Sequence, residues 1–357
     1  MSKKIDYLII GQGLAGSAIA WELLQRGKSI VVVDERTKNR ASAYAAGLFN
    51  PIIGKSLTKA WEADLIFPFL SEFYSRAEEK LNKKFLHLTS IYRPFISEAE
   101  MQQWKKKSES EILKKFLLAF HGPLPMNDVI KNPFGGIEIT QSGYLDVATW
   151  MSAIRESLIE HEAYLEEMFQ EDELNFDKDR VHYRDLNAGK IVYCNGVAAL
   201  RSKWFEWLPI KPLKGETIEV LIQATAGHIY NRGVYLVPTV ETDKFKVGAT
   251  YQHTPFTDGP SAEGLTELTS KLKALVKIPY RIIHQDWGIR PTTHDRRPML
   301  GHHPGNKNVI IFNGLGTKGV SLAPYFACHL VDWLEGEGDL SPEVNIYRFK
   351  ALYSRLQ

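Results

Sequence analysis

Apolar and polar positions alternate along the chain in two rhythms, and their order predicts an α/β protein. Residues 5–10 (Ile-Asp-Tyr-Leu-Ile-Ile) and 29–34 (Ser-Ile-Val-Val-Val-Asp) are short, nearly continuous apolar runs of the kind carried by buried strands. Between them Ile19, Leu23 and Leu24 share one helical face, and Gly27 stands where a helix stop belongs. Such a strand–helix–strand unit is expected to be parallel and right-handed. Helical spacing returns at 60–73, where Trp61, Leu65, Phe69 and Phe73 recur every fourth position, and again at 97–120 and 147–159. Strand-like runs at 217–222, 233–238 and 245–250, separated by turn residues, read instead as an antiparallel sheet. A last strand, 308–312, leads through Asn313-Gly314-Leu315-Gly316 into a helix. There Val320, Ala323, Ala327, Leu330, Val331 and Leu334 keep helical spacing, and Gly336 ends it.

Composition narrows the function classes. Of 357 residues 44% are hydrophobic and 24% charged, enough apolar material for a proper core. A net charge of +2 supplies no global field to recruit nucleic acid or an anionic membrane. Lys105, Lys106, Lys107, Lys114 and Lys115 read as the solvated face of a helix. Cys194 and Cys328 are the two cysteines and form no CxxC pair, which suggests neither a disulfide framework nor a zinc site. His294, His302 and His303 match no metal-site spacing, and no metal is expected. The first strand is too short for a signal-peptide core, and no apolar run approaches the roughly 20 residues of a membrane span. These features together predict a soluble, cytoplasmic protein.

The first motif with chemistry is Gly11-Gln12-Gly13-Leu14-Ala15-Gly16, a GxGxxG between a strand and a helix. Gly11 permits the tight turn, Gly13 lets a diphosphate approach the backbone, and Gly16 lets helix and strand pack closely. The helix start, at Leu14 and Ala15, then offers unpaired N–H groups and the positive end of the helix dipole. Asp34, at the tip of the second strand, is the acid expected on an adenosine ribose hydroxyl. The loop predicts a dinucleotide but leaves NAD and FAD both open.

Three further stretches bear on that choice: the small-residue run Ser42-Ala43-Tyr44-Ala45-Ala46-Gly47-Leu48-Phe49-Asn50-Pro51; Gly288-Ile289-Arg290-Pro291-Thr292-Thr293 with Asp295, Pro298 and Gly301; and Asn313-Gly314-Leu315-Gly316-Thr317-Lys318-Gly319-Val320-Ser321-Leu322-Ala323-Pro324. In this order they resemble the D-amino-acid oxidase, glycine oxidase and sarcosine oxidase superfamily. The resemblance is nearest the glycine-oxidase branch and the oxidoreductase domain of a bifunctional tRNA wobble-uridine enzyme. It spans the chain but is strong at the ends. Weaker matches lie at Lys214-Gly215-Glu216, Tyr235-Leu236-Val237-Pro238, Gly248-Ala249-Thr250 and Cys194-Asn195-Gly196.

The resemblance implies a Rossmann-like domain binding FAD without a covalent bond, and a discontinuous α+β substrate domain whose antiparallel sheet roofs the flavin. FAD-binding parts would occupy 1–84, 141–209 and 288–357, and substrate parts 85–140 and 210–287. Ser42, Gly47, Leu48 and Gly196 would join Gly11, Gly13, Leu14, Ala15, Gly16 and Asp34 around the cofactor. Gly316, Thr317, Lys318 and Gly319 would face the pyrimidine side of the flavin, where reduction places negative charge. Lys318 would add a full charge there, unless it is an exposed surface lysine.

By the same resemblance Arg290 would hold a substrate carboxylate, for which a planar guanidinium suits a two-pronged grip. An ion pair with Asp286 or Asp295 is the alternative. Tyr235 and Tyr251 are candidates to assist, though a packed core ring is the plainer reading of each. The implied activity is oxidation of a small amine-bearing carboxylate, with oxygen or another electron acceptor completing the cycle. Oxidation of a 2-hydroxy acid, action on a carboxymethylamino group of a tRNA nucleoside, and FAD binding without catalysis are the alternatives. A nucleic-acid partner is disfavoured by the small net charge.

Overall fold

The computed structural model describes residues 2–37, 39–53, 57–122, 129–177, 179–224 and 227–355. The elements that position the site are, in chain order, β1 (Lys3–Ile10), α1 (Leu14–Gln25), β2 (Ile30–Val33), α2 (Ala63–Leu81), α3 (Val147–Glu160), β3 (Leu186–Tyr193), β4 (Lys211–Leu221), β5 (Val234–Pro238), β6 (Lys244–Gly248), β7 (Arg281–Thr292), β8 (Asn306–Asn313) and α4 (Gly319–Glu335).

Both apolar runs at the amino end become strands buried on two faces, and a parallel sheet covered by helices needs that pattern. Residues Tyr164–Leu165, β2, β1 and β3 lie side by side and parallel. The end of β3 pairs in parallel with β8. Antiparallel strands Val181–Tyr183, Leu174–Phe176 and Met299–His303 complete eight. Helix α1 is buried from Leu14 through Leu23 and so keeps no polar face. It packs between the sheet, α3 and α4, where Trp21, Phe73, Tyr74, Phe85 and Trp150 form one aromatic cluster.

A second sheet of nine strands is antiparallel throughout except where Ile229–Arg232 meets Ile91–Pro94. Strand β4 is its spine: it pairs along its whole length with β7 and on its other edge with β6, and β5 follows β6. The antiparallel reading of 217–250 therefore holds. One reading fails. The helix expected over 97–120 ends early, as Glu98–Ser108 and a single turn Glu111–Lys114. Leu117–His121 is instead an edge strand paired with Gly136–Ile139. Ladder hydrogen bonds to that partner outweigh a weak local helical preference.

The three histidines fall in different surroundings. His294 is exposed, His302 stacks on Trp333, and His303 is packed edge-on among Trp204, Trp207 and Tyr353. Among the described residues no group of three or more His, Cys, Asp or Glu side chains gathers to hold a metal ion. None of the described helices is long and apolar enough to cross a membrane.

His303 carries a testable consequence. Burial, assisted by His302, brings its imidazole from the ordinary 6.5 down to about 4. Its Nδ1 accepts the Gly305 N–H at 3.1 Å, a bond that a proton on that nitrogen would break. The unfolded chain thus takes the proton first as pH falls. The stability this group contributes is complete above about pH 6.5 and disappears between there and about pH 4. It amounts to about 3 kcal/mol. Urea unfolding at pH 7 and pH 4 should show the parent losing about that much more than His303→Gln, whose side-chain oxygen can still accept the Gly305 N–H.

Candidate active site

The carboxyl ends of β2, β1, β3 and β8 share one edge of the first sheet, the edge at which open α/β sheets take their ligands. A cavity of about 1330 Å³ opens there, walled on its other side by the second sheet. Small-ligand sites are typically about 300–1,000 Å³, so this one has room for a dinucleotide together with a substrate.

Glycines shape one end. Gly11 has φ +95°, and a Cβ on it would lie 2.9 Å from the Cys194 carbonyl oxygen. A Cβ on Gly16 would lie 1.8 Å from the Gly11 carbonyl oxygen, so α1 settles directly onto the end of β1. Gly13 has an ordinary φ of −80°; its lack of a side chain matters for space. A Cβ there would stand 3.2 Å from Ser42 Oγ, which accepts the Leu14 N–H, and anything larger would extend into the cavity. Leu14, Ala15, Asp34, Ser42, Gly47, Leu48 and Gly196 line the same space, whereas Gly16 acts behind the wall as a packing contact.

Asp34 is buried and already engaged. One carboxylate oxygen accepts the Gln12 N–H at 2.9 Å, and the other accepts from Arg40 at 2.8 Å. Asn195, beside Gly196, lines the cavity with a buried Oδ1 that has no hydrogen-bond partner. An orphaned acceptor of that kind in a native structure calls for a ligand or water.

A second helix start comes in beside the first. A Cβ on Gly319 would lie 2.9 Å from Leu14 Cδ1, so the amino ends of α1 and α4 converge. Gly316, Thr317, Lys318 and Gly319 all line the cavity. Lys318 is half-buried, and burial together with Arg296 and Arg297 holds its ammonium below the ordinary lysine range. It is therefore no free surface lysine.

The far wall belongs to the second sheet. Arg290, on β7, lays its guanidinium over Gly215 of β4, where a Cβ would fall 2.0–2.2 Å from the guanidinium atoms. Nη1 donates to the Thr250 carbonyl at 3.2 Å, and the Tyr251 ring lies beneath the guanidinium at 5.2 Å. Asp286 pairs with His284 and Asp295 with Arg348, so neither is Arg290's partner, and no carboxylate among the described residues is. Tyr235 lines the cavity with a phenol whose titration burial pushes upward, keeping it protonated. Tyr251 is 63% exposed at the mouth, which corrects its reading as a packed core ring.

Arg40, Asn195 and Gly215 are site residues that the sequence reading did not assign. Gly215 and Asn195 left a trace, since Lys214-Gly215-Glu216 and Cys194-Asn195-Gly196 were weak motif matches; Arg40 left none.

The donor set fits FAD. A glycine cradle at one helix start suits the diphosphate, and a second helix start with a lysine suits the electron-rich end of the flavin. Comparison with known proteins agrees. Residues 6–333 match the family described as FAD dependent oxidoreductase (DAO). Glycine oxidase of Bacillus licheniformis is 24% identical, over 94% of this chain and 94% of its own. The structure of glycine oxidase from Geobacillus kaustophilus superposes with a TM-score of 0.79 at 21% identity, covering 97% of this chain and 98% of that one. Iminodiacetate oxidase from Chelativorans sp. BNC1 gives 0.77 at 19%, covering 96% and 98%.

If the cradle holds the diphosphate, Gly13→Val should abolish FAD binding while far-ultraviolet circular dichroism stays close to that of the parent. Absorbance of the purified variant near 450 nm reads the outcome, and full flavin occupancy would remove this loop from the cofactor site.

Proposed function

Because the chain belongs to the FAD-dependent oxidoreductase (DAO) family, whose glycine oxidase and amino acid oxidase members it resembles along its length, we propose that it oxidises a small amine-bearing carboxylate. The observation that carries this reading is Arg290: a guanidinium at the cavity wall with no carboxylate partner of its own among the described residues.

The glycine loop and the two helix starts would hold FAD, which would supply a hydride acceptor for the substrate carbon bearing the nitrogen; the imine left behind would be hydrolysed by water. The chain's own residues bind and orient. Arg290 takes the substrate carboxylate through its free N–H donors while Gly215 and Tyr251 keep its plane fixed. Tyr235 offers a neutral phenol beside it. Lys318 and the start of α4 bring positive charge to the place where reduction puts negative charge. No protein base is needed when the amine arrives neutral. Oxidation of a 2-hydroxy acid would require a base for the hydroxyl proton, and no histidine is among the described residues lining the cavity. The α/β half would carry the cofactor and the second sheet would roof it, with oxygen or another acceptor reoxidising the flavin.

Three measurements test this. Acid precipitation should release the yellow flavin into the supernatant if FAD is held without a covalent bond; colour in the pellet would contradict it. A panel of amino, N-substituted and hydroxy acids, screened anaerobically for flavin bleaching, should identify the substrate. With it in hand, Arg290→Ala should lower catalytic efficiency while FAD remains bound. Removing one member of a buried charge pair costs about 2–5 kcal/mol. That corresponds to roughly 30-fold to several thousand-fold in kcat/KM. Arg290→Lys should recover only part, since an ammonium keeps the charge and loses the fork. Equal efficiency in all three proteins would remove Arg290 from the substrate site.

A further inference from the structure

We propose that Arg40 is a cofactor-binding residue whose guanidinium grips an anionic oxygen of the FAD diphosphate. Arg40 lines the cavity although only 18% of its side chain is exposed. Nη1 is used by Asp34, at 2.8 Å. Nε is buried with no hydrogen-bond partner, and Nη2 donates to no described residue. A cation buried to this degree with donors left over is costly unless something absent from the protein completes it. What fits is an anion with acceptor oxygens, matched to the guanidinium fork.

Its neighbours specify which anion. Asp34, the acid that Arg40 holds, also accepts the N–H of Gln12, inside the glycine loop. Two residues beyond Arg40, Ser42 Oγ accepts the Leu14 N–H at the start of α1. Arg40 thus stands between the ribose acid and the helix start, the stretch that the diphosphate of a dinucleotide crosses. Its backbone is fixed from the other side: Arg40 bridges Ile289, and the Ile289 N–H donates to the Asn39 carbonyl at 3.1 Å. A Cβ on Gly288 would fall 2.9 Å from Ala41 Cα, so β7 packs tightly on this strap. The assignment concerns cofactor affinity and is independent of which substrate Arg290 receives.

Asp34 complicates a single substitution, because Arg40→Gln also strands a buried carboxylate. The experiment is therefore a cycle of parent, Arg40→Gln, Asp34→Asn and the double variant, each purified as holoprotein. FAD dissociation constants are read from the recovery of flavin fluorescence on dilution, at several potassium chloride concentrations. Arg40→Gln should weaken FAD at least tenfold in the Asp34→Asn background as well as in the parent, and should flatten the salt dependence. If the double variant holds FAD as tightly as Asp34→Asn alone, Arg40 only neutralises Asp34 and the proposal fails. Should Arg40→Gln not fold, Arg40→Lys gives the same reading. It keeps the charge beside Asp34 and loses the fork, so an unchanged dissociation constant overturns the assignment and a rise of several-fold supports it.

Discussion

Where α1 meets β1, a carbonyl oxygen occupies the place a side chain would take. The Gly11 oxygen lies 1.8 Å from where a Cβ on Gly16 would be, so the helix can descend onto the strand end only because that atom is missing. The other contacts at this edge follow from that descent. With α1 seated there, Gly11 comes against the backbone of Cys194 and ties the end of β1 to the end of β3. Leu14 meets Gly319 and brings in the start of α4. Two helix dipoles then point their positive ends into one cavity, held by close approach of glycine backbone to backbone at Gly11 and Gly16 and to the Leu14 side chain at Gly319. Such a wall is stiff, and stiffness lets a site hold its donors in place before the ligand arrives.

Charge is distributed accordingly. The chain as a whole is almost neutral at +2, yet Arg290, Arg296 and Lys318 line the cavity without an acid partner among the described residues. Burial first, and then the nearby Arg296 and Arg297, holds the Lys318 ammonium below the ordinary lysine range. The FAD diphosphate and the reduced flavin are both negative, so cations placed at these points of the wall suit the cofactor, although Asp34, Glu35, Glu167, Glu171 and Asp258 also line the cavity.

How much of this the sequence disclosed depended on whether the cause was local. The β1–α1–β2 unit and the final β8–α4 unit were readable because strands buried on both faces carry nearly continuous apolar runs, and the helix between them must cover the sheet. GxGxxG was readable because its spacing is itself the steric requirement. Leu117–His121 was misread because Leu118 is 63% exposed on an edge strand, which blurs the alternation that would mark it. Its pairing partner, Gly136–Ile139, also lies well along the chain from it. Arg40 was invisible for a related reason. Asp34 is close in sequence, but the position of Arg40 is set by Ile289, at the other end of the chain. Tyr251 read as a core ring because one tyrosine among 15 is most simply a packed ring, whereas it is 63% exposed with its ring beneath the Arg290 guanidinium.

The strap formed by residues 39–42 joins these strands of argument. On one side Ser42 takes the Leu14 N–H and Arg40 takes Asp34, the two contacts that define the cofactor end. On the other, Asn39 takes the Ile289 N–H and Ala41 packs on Gly288, directly beside Arg290. In β7 the register then places Arg290 against Leu213 and Gly288 against Gly215, so the guanidinium leans along the strand to lie over Gly215. The separation between the glycine loop and Arg290 is therefore set by one short turn segment, tied to the loop side through the Ser42 and Arg40 side chains and to β7 through a main-chain hydrogen bond, and by one strand register. Hydride transfer depends steeply on the distance and alignment of donor and acceptor. A fold that ties the glycine loop and the strand carrying Arg290 to the same strap sets the spacing between the two walls of the cavity before a ligand enters.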